Sequence, residues 1–73
     1  MILTYVNNHK LFIQFDRIIK TGIISLNDGF NFNKQMAINN SEFEIIELPD
    51  KVKLINIIIK TGTKQITRII KTE

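Results

Sequence analysis

Residues 54–71 read Leu54-Ile55-Asn56-Ile57-Ile58-Ile59-Lys60-Thr61-Gly62-Thr63-Lys64-Gln65-Ile66-Thr67-Arg68-Ile69-Ile70-Lys71. β-Branched residues dominate both ends of this stretch and a glycine lies between them, the pattern of two strands joined by a tight turn around Thr61-Gly62. A strand with one face in water alternates apolar and polar residues, yet residues 54–59 are apolar on both faces apart from Asn56. Ile69 beside Ile70 and Ile23 beside Ile24 repeat the excess. Three arrangements account for it: a central strand between two layers, a bulge near Asn56 that switches the inward set from Val52 and Leu54 to Ile57 and Ile59, or cover by another chain. A two-layer domain of 73 residues has hardly a third layer to offer. Cover from outside is therefore favoured, with Ile55, Ile57, Ile59 and Ile69 as the protein-interface residues.

Upstream, short apolar runs alternate with turn residues in the same way. Strands are expected over residues 2–6, 10–15 and 17–26, the last interrupted at Thr21-Gly22 because a glycine inside a strand pattern marks a bend or bulge. Asn7-Asn8 reads as the first turn, and Asn27-Asp28-Gly29 as the strongest one, since Asp-Gly accepts positive φ at little cost. Residues 41–48 carry two signals. Ser41 followed by Glu44 has the form of a helix capping box and Pro49 would end such a helix, but the segment is short and poor in helix formers, so strand is preferred; a single helical turn around residues 34–37 is a further option. A tight turn at Leu48-Pro49-Asp50-Lys51 would pair Phe43 and Ile45 with Leu54 and Val52. The motif of two isoleucines followed by Lys-Thr-Gly, at 18–22 and again at 58–62, reads as the way this chain closes a strand. The expected fold is all-β, a small antiparallel β-sandwich or partly open barrel of six to seven short strands, in one domain spanning residues 1–73.

A domain of this size hides only about 60% of its unfolded surface and needs help to be stable. The chain has no cysteine and one histidine, so disulfides, thiolate metal sites and a bound metal are not expected, nor any other cofactor. Oligomerisation remains. No basic leader precedes an apolar run, and no apolar stretch approaches the roughly 20 residues of a membrane span, so a cytoplasmic location without membrane partners is expected, with a virion as the alternative. The sixteen isoleucines, eight asparagines and eight lysines all use AT-rich codons, which suits a bacterial or phage genome.

Nothing in the chain assembles into catalytic chemistry. A Ser-His-Asp arrangement would have to use His9, in an expected turn, with Ser25 or Ser41. Glu42 and Glu44 share one face of a strand while Glu47 falls on the other, so with Asp50 they read as a solvated surface rather than an acid-base pair. A pocket large enough to bury a ligand, about 300–1,000 Å³, is not expected from a chain this short. The expectation is a non-enzymatic protein-interaction module, a subunit of a homo-oligomer or a module docked on a larger protein, as in a phage-type structural component or an inhibitor of a host protein.

Two alternatives follow from other features. The net charge is +3, and Lys51, Lys53, Lys60, Lys64, Arg68 and Lys71 crowd the last third, as in small basic β-barrels that bind single-stranded nucleic acid. Such proteins set aromatic platforms among their cations, whereas Tyr5, Phe12, Phe15, Phe30, Phe32 and Phe43 all lie outside the basic third. The other alternative is an oligomeric small-ligand binder with its site between subunits. At Gly29 the turn reading is directly testable: Gly29→Val is expected to lower the unfolding free energy by more than about 1 kcal/mol in urea titration, because valine resists positive φ.

Overall fold

The structure, a computed structural model, describes residues 2–72. It is all-β, with five strands: β1 (Ile2–Asn7), β2 (Lys10–Asn27), β3 (Asn33–Glu47), β4 (Leu54–Thr61) and β5 (Lys64–Lys71). They form one antiparallel sheet that curls into a half-barrel. β2, the central strand, makes a long hairpin with β3 on one of its edges. On its other edge β2 pairs first with β1, along residues 10–15, and then with β4, along residues 23–27, while β5 extends the sheet beyond β4.

The curl originates in a mismatch within the long hairpin. Gln14 pairs with Phe43 and Ile19 with Ser41, so four residues of β2, 15–18, lie opposite Glu42 alone. Extra residues in one strand of an antiparallel pair bend it and rotate its faces. Before the break Leu11, Ile13 and Phe15 point inward; after it Ile24 and Leu26 do. The inward set thus changes from odd to even positions, while β3 keeps Ile38 and Ile46 inward on even positions and turns through Asn40, held at φ 51°.

Both halves feed one apolar core. Leu11, Ile13, Ile24, Leu26, Ile55 and Ile57 are fully buried, with Phe15 and Ile59 nearly so. Leu48 and Val52, from the β3–β4 connection, are buried in the same cluster. No polar side chain is buried among the described residues, so desolvation opposes nothing here, and each fully covered isoleucine or leucine contributes about 1.5–3 kcal/mol relative to exposure.

The turns follow the residues that supply them. Asn8 and His9 both take positive φ between the paired Asn7 and Lys10, a two-residue I′ turn set one position later than Asn7-Asn8. Gly29 takes φ 73°, as expected, and the loop is tied by Asn27 Oδ1, which accepts from the Gly29 amide at 3.0 Å, and by Asp28 Oδ1, which accepts from Phe30 and Phe32 at 2.9 and 3.0 Å. Gly62 at φ 59° opens the two-residue β4–β5 turn. The β3–β4 connection is pinned by the Leu48 amide donating to the His9 carbonyl at 2.8 Å, and Thr72 donates from its amide to Lys53 at 3.0 Å.

Several expectations are corrected. Five strands replace six or seven because β2 and β3 run through positions read as breaks. Residues 41–48 contain no helix: 41–47 belong to β3, and Ser41 Oγ donates to the Phe43 carbonyl at 3.0 Å instead of capping. Residues 34–37 are strand as well. The Leu48-to-Lys51 turn does not fold β3 back on β4; Phe43 and Ile45 pair with Gln14 and Phe12, and the connection carries the chain past the end of the sheet to the far edge of β2. Nor does the first Lys-Thr-Gly close a strand. Gly22 continues the ladder opposite Ile38, and its role is close approach: a Cβ there would lie 2.7 Å from the Lys60 carbonyl oxygen. Gly22→Ala is expected to cost about 1–3 kcal/mol of stability by urea unfolding with the far-ultraviolet spectrum unchanged in type, since backbone on backbone has little room to give.

Candidate functional site

Strand parity decides which side chains remain outside the core. On β1 the residues alternating with Ile2 are Leu3 and Tyr5; on the first half of β2 the residue between Leu11 and Ile13 is Phe12; on β3 the residues flanking Glu44 are Phe43 and Ile45. Register then aligns them, Tyr5 opposite Phe12 opposite Ile45, and Leu3 opposite Gln14 opposite Phe43. The Tyr5 and Phe12 rings stack at 4.9 Å with 10° between planes, and Phe12 meets Phe43 at 6.1 Å and 32°. Leu3, Tyr5, Phe43 and Ile45 are each 42–57% exposed. The outer wall of this half-barrel therefore carries a contiguous apolar patch in which the Phe12 ring touches both Tyr5 and Phe43.

Its rim is polar. The next rung aligns Asn7, Lys10 and Glu47. On the other side the Gln14 amide donates to the carbonyls of Phe15 and Glu42, at 3.1 and 3.2 Å. An apolar centre within a polar border is the usual composition of a protein-binding surface, in which tyrosine and phenylalanine are enriched.

The isoleucines expected at an interface fare differently. Ile55, Ile57 and Ile59 point into the core and are at most 1% exposed, so they are not available to a partner. The switch of inward positions falls between Val52 and Ile55, not at Asn56, and leaves Leu54, Asn56 and Ile58 outward. Asn56 is held by its amide donating to Asn27 Oδ1 at 3.1 Å. Of the four, Ile69 alone is exposed, at 65%. The second apolar face of β4 thus shrinks to Leu54 and the half-buried Ile58, which lies between Ser25 and Thr67.

The six cations do not converge. Lys51 and Lys53 lie in the β3–β4 connection; Lys60 and Lys71 alternate outward with Ile58 and Ile69; Lys64 and Arg68 share the opposite parity, with Arg68 across from Ile57. All are exposed, and the stacked rings stand on the other half of the sheet. The aromatic platform and these six cations are separate, which is unlike a single-strand groove.

His9 Nδ1 lies 3.9 Å from Asp50 Oδ1 at the β1–β2 turn, both groups exposed. Ser25 Oγ accepts from Gln35 at 3.2 Å and Ser41 is tied to Phe43. Among the described residues no three His, Asp or Glu side chains gather as metal ligands. A cleft of about 560 Å³ does exist between the β2–β3 and β3–β4 loops, with Phe30, Phe32, Pro49 and Val52 on its walls, so pocket volume is not denied to a chain of this length. Of its polar lining, Asp28 is engaged in holding the loop, and Asn31, Asp50 and Lys51 are exposed. Among the described residues no helix is long and apolar enough to cross a membrane.

Compared with protein-family models, with curated proteins and with solved structures, the chain matches none of them.

The placement of the isoleucines has a measurable consequence. Ile57→Ala is expected to cost about 2–5 kcal/mol, as a cavity in a full core does. Ile69→Ala should change stability by under about 1 kcal/mol. Urea titration of both variants reads the contrast directly.

Proposed function

We propose that this chain is a non-enzymatic protein-interaction module, acting as a subunit of a homo-oligomer or docked on a larger protein. The observation that carries this reading is the exposed patch of Leu3, Tyr5, Phe12, Phe43 and Ile45. Covering a large apolar side chain fully contributes about 1.5–3 kcal/mol, so these residues together hold enough unused surface to anchor a partner. Rigid stacked rings also lose little conformational freedom on binding. A protein partner suits the patch better than nucleic acid because its rim sets Glu42 and Glu47 against the single Lys10, and the concentrated cations stand elsewhere.

Replacing Leu3→Lys together with Tyr5→Ser tests the reading, since both side chains are outside the core and the fold should survive. The expected result in analytical ultracentrifugation is salt-insensitive association of the parent chain that weakens by about tenfold or more in the double variant, with an unchanged circular dichroism spectrum. The opposing result is unaltered association in that variant together with oligonucleotide binding that falls steeply as salt rises.

A further inference from the structure

We infer that copies of this chain join head to tail, with residues 43–47 on the free edge of β3 in one copy pairing antiparallel with residues 65–69 on the free edge of β5 in the next. This names the partner within the interaction reading above and rests on it. Among the described residues β1 and β3 each pair with β2 alone and β5 with β4 alone, so all three present unpaired backbone groups; β1 carries no charge, and β3 and β5 are the two charged edges. β1 comes near β5 without forming a ladder with it.

The hairpins specify which of those groups are free. In a two-residue hairpin the closing pair exchanges both backbone hydrogen bonds, and the pattern repeats every second residue. Counting from Asn7–Lys10, the even residues of β2 turn to β1, so Leu11 and Ile13 turn to Ile46 and Glu44. Phe43, Ile45 and Glu47 then point their amides and carbonyls away from the sheet. Counting from Thr61–Lys64, residues 66, 68 and 70 turn to β4, leaving Gln65, Thr67 and Ile69 outward. The flanking bonds agree with this phase, Leu48 donating toward β2 and Thr72 toward the start of β4. The free groups lie on odd residues of both edges, and those same residues carry their side chains on the outer face. Odd-to-odd pairing therefore continues the sheet with its outer face still outermost.

Charge selects the partner edge. Residues 42–47 include Glu42, Glu44 and Glu47 and no base, whereas β5 includes Lys64, Arg68 and Lys71 and no acid. Two β3 edges, or two β5 edges, would bring like charges together; β3 against β5 brings opposite ones. In the register that sets Glu44 opposite Arg68, Phe43 meets Ile69, Ile45 meets Thr67, Ile46 meets Ile66 and Glu47 meets Gln65. Ile69, the exposed isoleucine of the terminal hairpin, then covers the Phe43 and Ile45 side of the aromatic patch. The contact is heterologous, so repetition generates a ring or an open chain.

Sedimentation velocity over a concentration series tests the seam with Glu44→Arg, Arg68→Glu and the double exchange. Association of the parent chain is expected to weaken by about tenfold or more in each single reversal and to recover in the double exchange. Thr67→Pro is the backbone counterpart: it removes an amide that the chain's own ladder does not use, so circular dichroism and melting should stay close to the parent while association is lost. A parent chain that remains monomeric at high micromolar concentration overturns the inference. So does association that survives folded Thr67→Pro, or single reversals that the exchange fails to repair. If Leu3→Lys with Tyr5→Ser abolishes association while Thr67→Pro leaves it intact, the outer patch itself is the contact and the seam is wrong. Loss in Thr67→Pro with retention in the Leu3 and Tyr5 variant establishes the seam and removes the patch.

Discussion

Residues 15–18 of β2 stand opposite the single residue Glu42 of β3, and the rest of the architecture depends on that mismatch. A one-residue change of phase moves every following side chain to the other face of a sheet. Without it, a straight β2 that buries Leu11, Ile13 and Phe15 would bury Ile23 and Ser25 and expose Ile24 and Leu26. With it, one long hairpin supplies inward residues to both halves of the half-barrel, and β1 and β4 occupy successive stretches of the same edge of β2. The bend also brings the end of β4 against Gly22, where the Lys60 carbonyl leaves no space for a side chain. Asn40 accommodates the turn from the β3 side, in a conformation that asparagine adopts more readily than most residues.

Much of the fold was legible from local chemistry. The Asp28-Gly29 turn, the β4–β5 hairpin around Gly62 and the strand preference of residues 41–47 follow from φ requirements and β-propensity, which act within a few residues. What escaped was set by distance. Thr21-Gly22 and the bend at residues 15–18 look equally able to interrupt a strand, and only the position of β4 shows that the glycine answers to a neighbouring backbone. The crossover after Leu48 is hidden from the sequence because a Pro-Asp turn does not reveal which edge the next strand will take.

The candidate site was missed for a related reason. The doubled isoleucines of β4 look like a surplus, yet Ile55, Ile57 and Ile59 are needed to fill the fold, and what remains outward there is largely Leu54 and Ile58. The true outward surplus lies on three strands that are distant in sequence, one or two residues each from Leu3, Tyr5, Phe12, Phe43 and Ile45. A signal was present in each strand separately, since Phe12 interrupts the Leu11, Ile13, Phe15 alternation and Leu3 and Tyr5 interrupt that of Ile2 and Val6. Only the register places these residues side by side and lets the rings stack.

The edges of an open sheet are exposed backbone, and natural β-proteins commonly defend them with charge, as β3 and β5 do here while β1 does not. Here the defence is divided by sign. The acidic segment of β3 repels another acidic segment, and the basic β5 repels another β5, so the two symmetric pairings that most readily produce uncontrolled stacking are both opposed. Between these two charged edges the pairing left unopposed is directional. The same side chains that make each edge inert toward its own kind make it complementary to the other, and the shared odd-residue phase of their free amides removes the geometric obstacle that usually separates two unrelated edges. On the proposed seam, edge charge would act as a rule of orientation between β3 and β5 as well as a barrier against like edges.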